Sequence, residues 1–408
     1  MEVFYGTARE ITAWMQLVRL LRAGFPGLET EAALEEHRQT VLRFMEKGHA
    51  IGVREGEALA GVMLISTRLN MLCCLGVHPD FRRKGVASLL MAEALKRLDN
   101  QRENTGTTYR REDPKGPAAR GLYEKFGFVP CELVEEMGYP NQVFTKFPVG
   151  SEAEGRWRAI GRMTEAIGEI LEGCRPSIYL YGSCVLEDFR RGWSDIDILV
   201  LTGKPMGQAQ AEHLVNLRQT LLAAEPENPY YRSFEGGMLT REAFVKNAAD
   251  RVVYWGTSGQ RITDRYAFDS FCRGELLEKG KLLLGPEVRG GMALPTREEL
   301  KRDVTRYYEL IRQYAQQTGR SFYSYGWLLD IARGIYTLRT GRVAAKTAAG
   351  DWALAQGLCP VPEELVAALE VRQNPEKYRD DPATFDRAET LGPAVQQFAD
   401  VLQKELQK

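Results

Sequence analysis

The sequence predicts a mixed α/β protein with more than one domain, on the basis of three observations. The chain has 408 residues, more than the roughly 100 to 200 residues that a single domain usually holds. Strand and helix patterns alternate through residues 1–148 and again through 155–292. From 293 to 408 the apolar residues recur mostly at helical spacing. We therefore expect an N-terminal mixed sheet with helices, a second α/β domain and a helical C-terminal domain.

The composition restricts which partners and which cellular compartment we expect for the protein. Its 54 Lys and Arg residues against 55 Asp and Glu residues give a formal charge of -1, so no global basic field exists to hold a nucleic acid or an anionic membrane. No apolar run has the length of a membrane span, and the first residues lack the features of a secretory signal. The seven scattered cysteines contain no C-x-x-C pair and fit reduced thiols. We expect a cytoplasmic protein with no nucleic-acid or membrane partner and an undefined oligomeric state.

A basic loop in front of a helix is the first candidate site. In MLCCLGVHPDFRRKGVASLLMAEALKRL (71–98) a strand leads through this loop into the helix. The first turn of a helix leaves backbone amides without partners and carries partial positive charge, and glycine lets a phosphate approach the backbone closely. The alternative is a solvated basic helix start that binds nothing. We expect the pyrophosphate of a nucleotide-type cofactor to lie against Arg82, Arg83, Lys84, Gly85, Val86 and Ala87.

A second segment, RGLYEKFGF (120–128), supports the cofactor hypothesis. It predicts a helix that contains Tyr123 and stops at Gly127, followed by a strand from Phe128. Together, R-x-x-G-x-A at 82–87 and L-Y-E-K-F-G-F at 122–128 resemble the GNAT superfamily of N-acetyltransferases. The resemblance covers roughly residues 1–148.

The GNAT resemblance implies a reaction and roles for the residues. Acetyl-coenzyme A would bind at the basic loop, a splayed strand pair would admit its thioester, and an amine would attack it. By similarity Tyr123 would protonate the departing thiolate; a buried aromatic at a helix end is the alternative. Many members carry Asn seven residues before this Tyr, where the present chain has Gly116. The candidates for the base that accepts the amine proton are His78, Glu132, Glu135 and Glu136.

The segment IYLYGSCVLEDFRRGWSDIDILVL (178–201) contains the second candidate site. After a strand that ends at Tyr181, Gly182 and Ser183 form a tight turn whose amides can hold phosphate oxygens. Eleven residues separate Ser183 from the acidic pair Asp195 and Asp197. Because side chains alternate along a strand, the two carboxylates share one face, with Cα atoms roughly 6 to 7 Å apart.

This acidic pair predicts a metal site with oxygen ligands. The apolar residues that follow it favour a buried central strand over a solvated edge strand, where uncompensated charge is costly. A divalent cation removes that cost, and oxygen ligands beside a triphosphate favour Mg²⁺. The four histidines lie at no zinc-ligand spacing. We predict that Asp195 and Asp197 bind Mg²⁺.

The G-S turn, the eleven-residue gap and D-I-D resemble the nucleotidyltransferase superfamily and, within it, the aminoglycoside adenylyltransferases. LLDIARGIYTLRTGRVAAKTAAGDWAL (328–354) looks like the helical C-terminal domain of the streptomycin and spectinomycin adenylyltransferases. The resemblance spans about 155–360 and implies ATP as a co-substrate whose phosphates Lys346 would reach; a solvated helix lysine is the alternative.

A catalytic base for nucleotidyl transfer should lie on a strand next to the acidic pair. Glu235, in YYRSFEGGML, corresponds in order and position to the third carboxylate of the superfamily; an exposed strand glutamate is the alternative. Gly236 and Gly237 directly after it predict a β-bulge.

The resemblance implies an aminoglycoside acceptor, whose positive charges require an acidic and aromatic pocket. Where streptomycin-modifying relatives carry an acidic residue, this chain has Tyr323. No motif selects among the candidate pocket residues Trp255, Asp264, Asp269 and Asp330, and Trp255 could equally belong to the core.

We therefore expect a bifunctional transferase that moves AMP from ATP to a hydroxyl of a small polar acceptor and acetyl from acetyl-coenzyme A to an amine. Such a chain could inactivate an antibiotic in two ways. One alternative is nucleotidyl transfer to a protein or another metabolite. A second is a GNAT-like half that senses acyl-coenzyme A without catalysis.

Overall fold

The chain divides into two structural units, Met1–Met163 and Thr164–Lys408, in a computed structural model that describes residues 1–256 and 259–408. Both units combine sheets with helices, which confirms the predicted mixed α/β class. Among the described residues, none of the helices is both long and apolar enough to cross a membrane. The domain limits that we placed at 148, 155 and 292 stay predictions.

A seven-stranded sheet of order β1-β2-β3-β4-β5-β7-β6 forms the first unit. Its strands run antiparallel to their neighbours except for β4 and β5, which are parallel. The elements are β1 (Glu2–Tyr5), α1 (Ile11–Leu21), α2 (Glu31–Glu46), β2 (Ala50–Glu55), β3 (Ala58–Ser66), β4 (Met71–Val77), α3 (Val86–Arg97), β5 (Asn104–Tyr109), α4 (Gly116–Lys125), β6 (Val129–Glu136) and β7 (Tyr139–Lys146), after which α5 (Glu152–Ile170) contains the point of division.

Alternation along β3 places apolar side chains on both faces of this sheet. Val62 and Leu64 belong to the core that contains α1 and α2 residues, whereas Met63 and Ile65 belong to the core that contains α3 residues. Since successive side chains of a strand point to opposite faces, a continuous apolar run here indicates a strand that is covered on both sides.

The second unit begins with a six-stranded sheet of order β12-β11-β10-β9-β8-β13. Strand β9 lies between β8, which is antiparallel to it, and β10, which is parallel to it. The elements are β8 (Pro176–Tyr181), β9 (Ile196–Thr202), α6 (Gln208–Ala224), β10 (Phe234–Thr240), α7 (Arg241–Lys246), β11 (Val252–Gly256), β12 (Gly259–Thr263), α8 (Ser270–Glu278) and β13 (Lys281–Leu284).

The rest of the second unit is helical, as the spacing of its apolar residues predicts. Helix α10 is central, because residues along much of its length are buried in one core with residues of its neighbours. The elements are α9 (Arg297–Tyr314), α10 (Phe322–Thr340), α11 (Lys346–Ala355), α12 (Pro362–Gln373), α13 (Pro375–Tyr378), α14 (Pro382–Glu389) and α15 (Gly392–Leu406).

The predicted β-bulge after Glu235 is wrong. The pairing of β10 with β9 continues in unbroken register through both glycines. A Cβ on Gly236, whose φ is +149°, would lie 1.8 Å from the Ile198 carbonyl oxygen, and one on Gly237 would lie 2.6 Å from the Tyr266 ring. The two glycines therefore permit close packing instead of marking an extra residue.

Candidate functional site

The second unit brings the predicted acidic residues to one place in its sheet. Asp197 on β9 is in register with Glu235 on the parallel strand β10 and with Tyr181 on β8. Asp195 lies just before β9. Adjacent strands are roughly 5 Å apart and paired residues face the same side, so Asp197 and Glu235 lie side by side. Their catalytic and metal-binding roles stay predictions.

The Gly-Ser turn packs directly on the acidic group that Asp195, Asp197 and Glu235 form. Gly182 begins a short 3₁₀ turn after β8 and has a φ of +70°. A Cβ at this position would lie 2.0 Å from Oδ2 of Asp197. The Ser183 hydroxyl donates to the backbone oxygen of Asp195 at 3.3 Å. Glycine is therefore required at 182 both for the left-handed backbone and for the space that the carboxylate occupies.

Negative charge accumulates around Asp197. Burial raises the pKa of its carboxyl well above the ordinary value, and Glu275, Asp195 and Glu235 raise it further, while Arg333 opposes them. Glu275 lies on α8, where it forms a buried ion pair with Arg333 of α10. Like charges in a buried site favour either a bound cation or a bound proton. In the described part of the chain, no three His, Cys, Asp or Glu side chains converge closely enough to hold a metal ion by themselves.

Two cationic side chains flank the acidic group. Lys346 is the first residue of α11, and its Nζ lies 2.7 Å from Oδ1 of Asp330. Burial raises the pKa of Asp195, whereas Lys346 and Arg218 lower it. Arg218, on α6, also interacts electrostatically with Glu235. The sequence did not indicate Arg218, because a single arginine on an amphipathic helix carries no motif.

Two of the proposed acceptor-pocket residues have structural roles instead. Trp255 is fully buried, and its Nε1 donates to the Leu214 carbonyl at 3.0 Å, so it belongs to the core. The Asp269 carboxylate accepts from the Cys272 amide at 2.9 Å as the N-cap of α8, and it also accepts from the Tyr307 hydroxyl.

The other candidates differ in their surroundings. Asp264 is exposed, and Asp330 is paired with Lys346. Tyr323, at the start of α10, is 70% exposed. Partial burial raises the pKa of its hydroxyl, and Asp195 and Glu235 raise it further. Tyr323 therefore lies within electrostatic reach of the acidic group while it remains open to solvent.

The basic loop of the first unit is an open helix start. Arg82, Arg83 and Lys84 are exposed, and Gly85, with a φ of +86°, is the N-cap of α3. Val86 is buried and Ala87 half-buried, so the start of the helix is anchored on the core behind the exposed basic loop. No side chain among the described residues caps this first turn. The uncapped helix start and the three cations form an arrangement that suits a phosphate group.

Strands β4 and β5 separate beyond their first residues. They pair only at Met71 with Thr105 and at Leu72 with Gly106. Past this point the two strands no longer share a ladder, which leaves a wedge between them. This is the splayed strand pair that the GNAT resemblance implied.

Tyr123 is buried beside this wedge. Its hydroxyl lies 3.5 Å from the Thr107 carbonyl oxygen, and a Cβ on Gly106 would lie 2.7 Å from the hydroxyl. Burial, and to a smaller extent Cys74, raises the pKa of Tyr123. The phenol therefore keeps its proton at neutral pH, which a general acid requires. Its catalytic role stays a prediction.

Of the base candidates, Glu136 lies near Tyr123. Glu136 raises the pKa of Tyr123 and accepts a hydrogen bond from the Thr107 hydroxyl at 2.6 Å. The structure also explains why glycine stands at 116, where many GNAT members carry Asn. A Cβ on Gly116 would lie 2.9 Å from the Arg110 carbonyl oxygen, so a side chain there would require the preceding loop to move.

Family models match three segments of the chain. The model described as "Acetyltransferase (GNAT) domain" matches residues 27–139, and that described as "Nucleotidyltransferase domain" matches 163–228. The protein is therefore an enzyme of the transferase class, with an acetyltransferase domain and a nucleotidyltransferase domain. A third model, "Aminoglycoside adenylyltransferase, C-terminal domain", matches 298–405. These matches confirm the resemblances drawn from the sequence.

Solved structures are similar to each half. A spectinomycin adenyltransferase from Enterococcus faecialis with ATP and spectinomycin is 16% identical, covering 60% of this chain and 99% of its own, with a TM-score of 0.46. A GNAT-family acetyltransferase from Bacillus cereus is 16% identical, covering 36% and 97%, with a TM-score of 0.29. The PaiA N-acetyltransferase from Thermoplasma acidophilum in complex with coenzyme A is 16% identical, covering 36% and 98%, with a TM-score of 0.29. No curated protein matches the chain.

Proposed function

We propose that the second unit transfers AMP from ATP to a hydroxyl of an aminoglycoside in the cytoplasm, and that the first unit transfers acetyl from acetyl-coenzyme A to an amine. The observation that carries the nucleotidyl proposal is the register of Asp197 with Glu235, next to the Gly182–Ser183 turn. A metal-binding carboxylate, a base and a phosphate-binding turn then lie within one strand spacing. The match of the C-terminal helices to an aminoglycoside adenylyltransferase domain supports the acceptor class.

The surroundings of the acidic pair suit Mg²⁺. Asp195 and Asp197 supply hard oxygen ligands, and the pKa of Asp197, which burial and neighbouring carboxylates raise, indicates an excess of negative charge that a cation would relieve. With two carboxylates from the protein, the remaining ligands would come from phosphates and water. When bound, Mg²⁺ would stabilise the charge on the phosphates of ATP.

The side chains around this pair have distinct tasks in the proposed reaction. The amides of the Gly182–Ser183 turn and the ammonium of Lys346 bind phosphate oxygens. The oxygen of the acceptor hydroxyl bonds to the α-phosphorus of ATP while Glu235 accepts the proton of that hydroxyl. The bond between the α-phosphorus and the bridging oxygen breaks, and pyrophosphate leaves. Because Glu235 lies beside Asp197, the proton is removed next to the reacting phosphate.

In the first unit, the α3 start and Arg82, Arg83 and Lys84 would bind the pyrophosphate of acetyl-coenzyme A, and the thioester would enter the wedge between β4 and β5. The amine nitrogen bonds to the carbonyl carbon and gives up a proton to a base, for which Glu136 is the candidate. The carbon–sulfur bond breaks, and Tyr123 protonates the departing thiolate. A non-catalytic acyl-coenzyme A sensor is the second candidate, favoured by Gly116, where a side chain has no room.

Mass spectrometry of an aminoglycoside panel tests both activities. The purified chain is incubated with ATP and Mg²⁺ and, separately, with acetyl-coenzyme A. We expect a mass gain of AMP in the first incubation, lost in Asp197→Asn and kept in Asp380→Asn, a matched change at an exposed aspartate. Pyrophosphate release that occurs only with a protein acceptor would reject the proposal that the acceptor is an aminoglycoside. Binding of acetyl-coenzyme A without transfer to any amine would establish the sensor.

A further inference from the structure

Helix α11, which begins at Lys346, takes its N-terminal cap from a distant loop. Its N-cap residue is Ala345, which has no side-chain acceptor. Asp188, in the loop between Ser183 and Asp195, supplies the acceptor: the Thr347 amide donates to Oδ2 at 3.3 Å and the Thr347 hydroxyl donates to Oδ1 at 2.6 Å. A carboxylate at a helix N-terminus satisfies a free amide and interacts favourably with the helix dipole.

Arg372, on α12, completes this contact. Its guanidinium lies 2.7 Å from Oδ2 of Asp188 and also donates to the Asp188 carbonyl at 3.1 Å. Its Nε donates to the Thr347 hydroxyl at 3.2 Å. The side chains of Arg372 and Asp188 are only 4% and 5% exposed. Since a buried charge is costly unless it is paired and hydrogen-bonded, these three residues form a mutually dependent group.

The position of this group in the chain suggests what it does. Asp188 belongs to the loop whose two ends are the Gly182–Ser183 turn and Asp195, and Thr347 directly follows Lys346. The group therefore connects the segment with the predicted phosphate and metal contacts to the segment with the predicted phosphate-binding lysine. The same loop makes another contact with the helices, because the Trp193 ring stacks on Phe322 at 5.4 Å.

We propose that Asp188, Thr347 and Arg372 are positioning residues that hold Lys346 in a fixed position relative to the Gly182–Asp195 loop before ATP binds. This rests on the proposed nucleotidyl transfer. None of the three needs to touch the nucleotide. Holding both segments in place removes the cost of ordering them when the triphosphate binds.

A double-mutant cycle tests this assignment. Thr347→Val removes one hydroxyl at nearly constant volume, and Lys346→Met removes the ammonium through which the group should act. We expect Thr347→Val to raise the Kd and KM for ATP roughly 2- to 10-fold, as expected for the loss of one or two hydrogen bonds, with a smaller change in kcat. In a Lys346→Met background the same change should have almost no further effect on ATP binding.

Lys377→Gln is the matched control, because Lys377 pairs at 3.2 Å with Glu370 on α12, the helix that carries Arg372, and lies outside the Gly182–Asp195 loop. It should leave the KM for ATP unchanged. Asp188→Asn, which keeps the shape but not the charge, should weaken ATP binding in the same way as Thr347→Val. Thermal unfolding of each variant without nucleotide separates a loss of fold from a loss of positioning.

The outcomes separate the two hypotheses. If the wild-type chain binds no ATP, the proposed function fails, and this inference with it. If the wild type binds ATP and Thr347→Val weakens binding equally with and without Lys346, the group stabilises the fold only and the positioning role is rejected. An unchanged Kd in Thr347→Val, with the wild type active, also rejects it while leaving the proposed function intact.

Discussion

Gly182 leaves the space that the Asp197 carboxylate occupies, since a Cβ on Gly182 would lie 2.0 Å from Oδ2 of Asp197. The backbone of Gly182 is also left-handed, with a φ of +70°. Two independent requirements for glycine thus coincide at the residue that begins the predicted phosphate-binding turn. The turn and the acidic strand have to be considered as one unit of structure.

Gly182→Ala should therefore be more damaging than an ordinary Gly→Ala change at positive φ. The left-handed backbone alone costs about 1–2 kcal/mol for a residue with a Cβ, and the collision with Asp197 adds to this. Gly357→Ala is the control, because Gly357 has a φ of +62° with nothing within 4 Å of its Cβ position. Chemical denaturation should give a larger loss of unfolding free energy for Gly182→Ala, together with loss of nucleotidyl transfer. Equal losses in the two variants would contradict the collision.

Tyr123→Phe should lower acetyl transfer with little effect on stability. The hydroxyl lies 3.5 Å from the Thr107 carbonyl oxygen, a distance at which a hydrogen bond contributes little. Loss of a general acid typically costs about 10²-fold or more in rate. Tyr5→Phe removes another hydroxyl of the first unit, one bonded to Glu93, and should keep the rate. Full acetyl transfer by Tyr123→Phe, measured as coenzyme A release, would remove Tyr123 from the mechanism.

The elements near the acidic site could be predicted from sequence because their signals are local. Alternation and the apolar run after Asp197 define β9, and a glycine-serine turn after a strand defines the segment at Gly182. Arg218 and Glu275 were missed, because each reaches the site from a helix whose own sequence gives no indication of what lies opposite. Their positions depend on tertiary packing alone.

The glycines after Glu235 show a different limit of local reasoning. Two glycines in a strand favour a bulge when only their own conformational freedom is considered. What decides the matter is the Ile198 carbonyl on the neighbouring strand, which excludes a Cβ at 236. The helix start at Lys346 is similar, since its cap, Asp188, comes from far away in sequence.

Trp255→Phe should reduce stability without changing acceptor recognition. Trp255 is fully buried, and its Nε1 bonds the Leu214 carbonyl. The substitution removes the indole hydrogen bond to that carbonyl and creates a small cavity, so we expect a loss of about 1–3 kcal/mol in unfolding free energy. The KM for the acceptor should stay unchanged. A raised acceptor KM in a variant of wild-type stability would show that Trp255 contacts the substrate after all.

Glu405 should make the helical part of the second unit sensitive to acid. Its carboxylate is buried, accepts from Arg339 at 2.6 Å and lies 2.9 Å from the Lys408 ammonium. The hydrogen bond from Arg339 is the largest cause that lowers the pKa of Glu405, from 4.5 to about 2. A carboxyl whose pKa is lower in the folded than in the unfolded state stabilises the fold above the unfolded pKa and loses this contribution as the pH falls through the folded value.

The unfolding free energy of the wild type should thus exceed that of Glu405→Gln at neutral pH, and this difference should shrink between about pH 4.5 and pH 2. Glu309→Gln, at an exposed glutamate on α9, is the control and should follow the wild type. Denaturation curves at a series of pH values measure the difference, and a difference that stays constant down to pH 2 would mean that the ion pair with Arg339 does not form in solution.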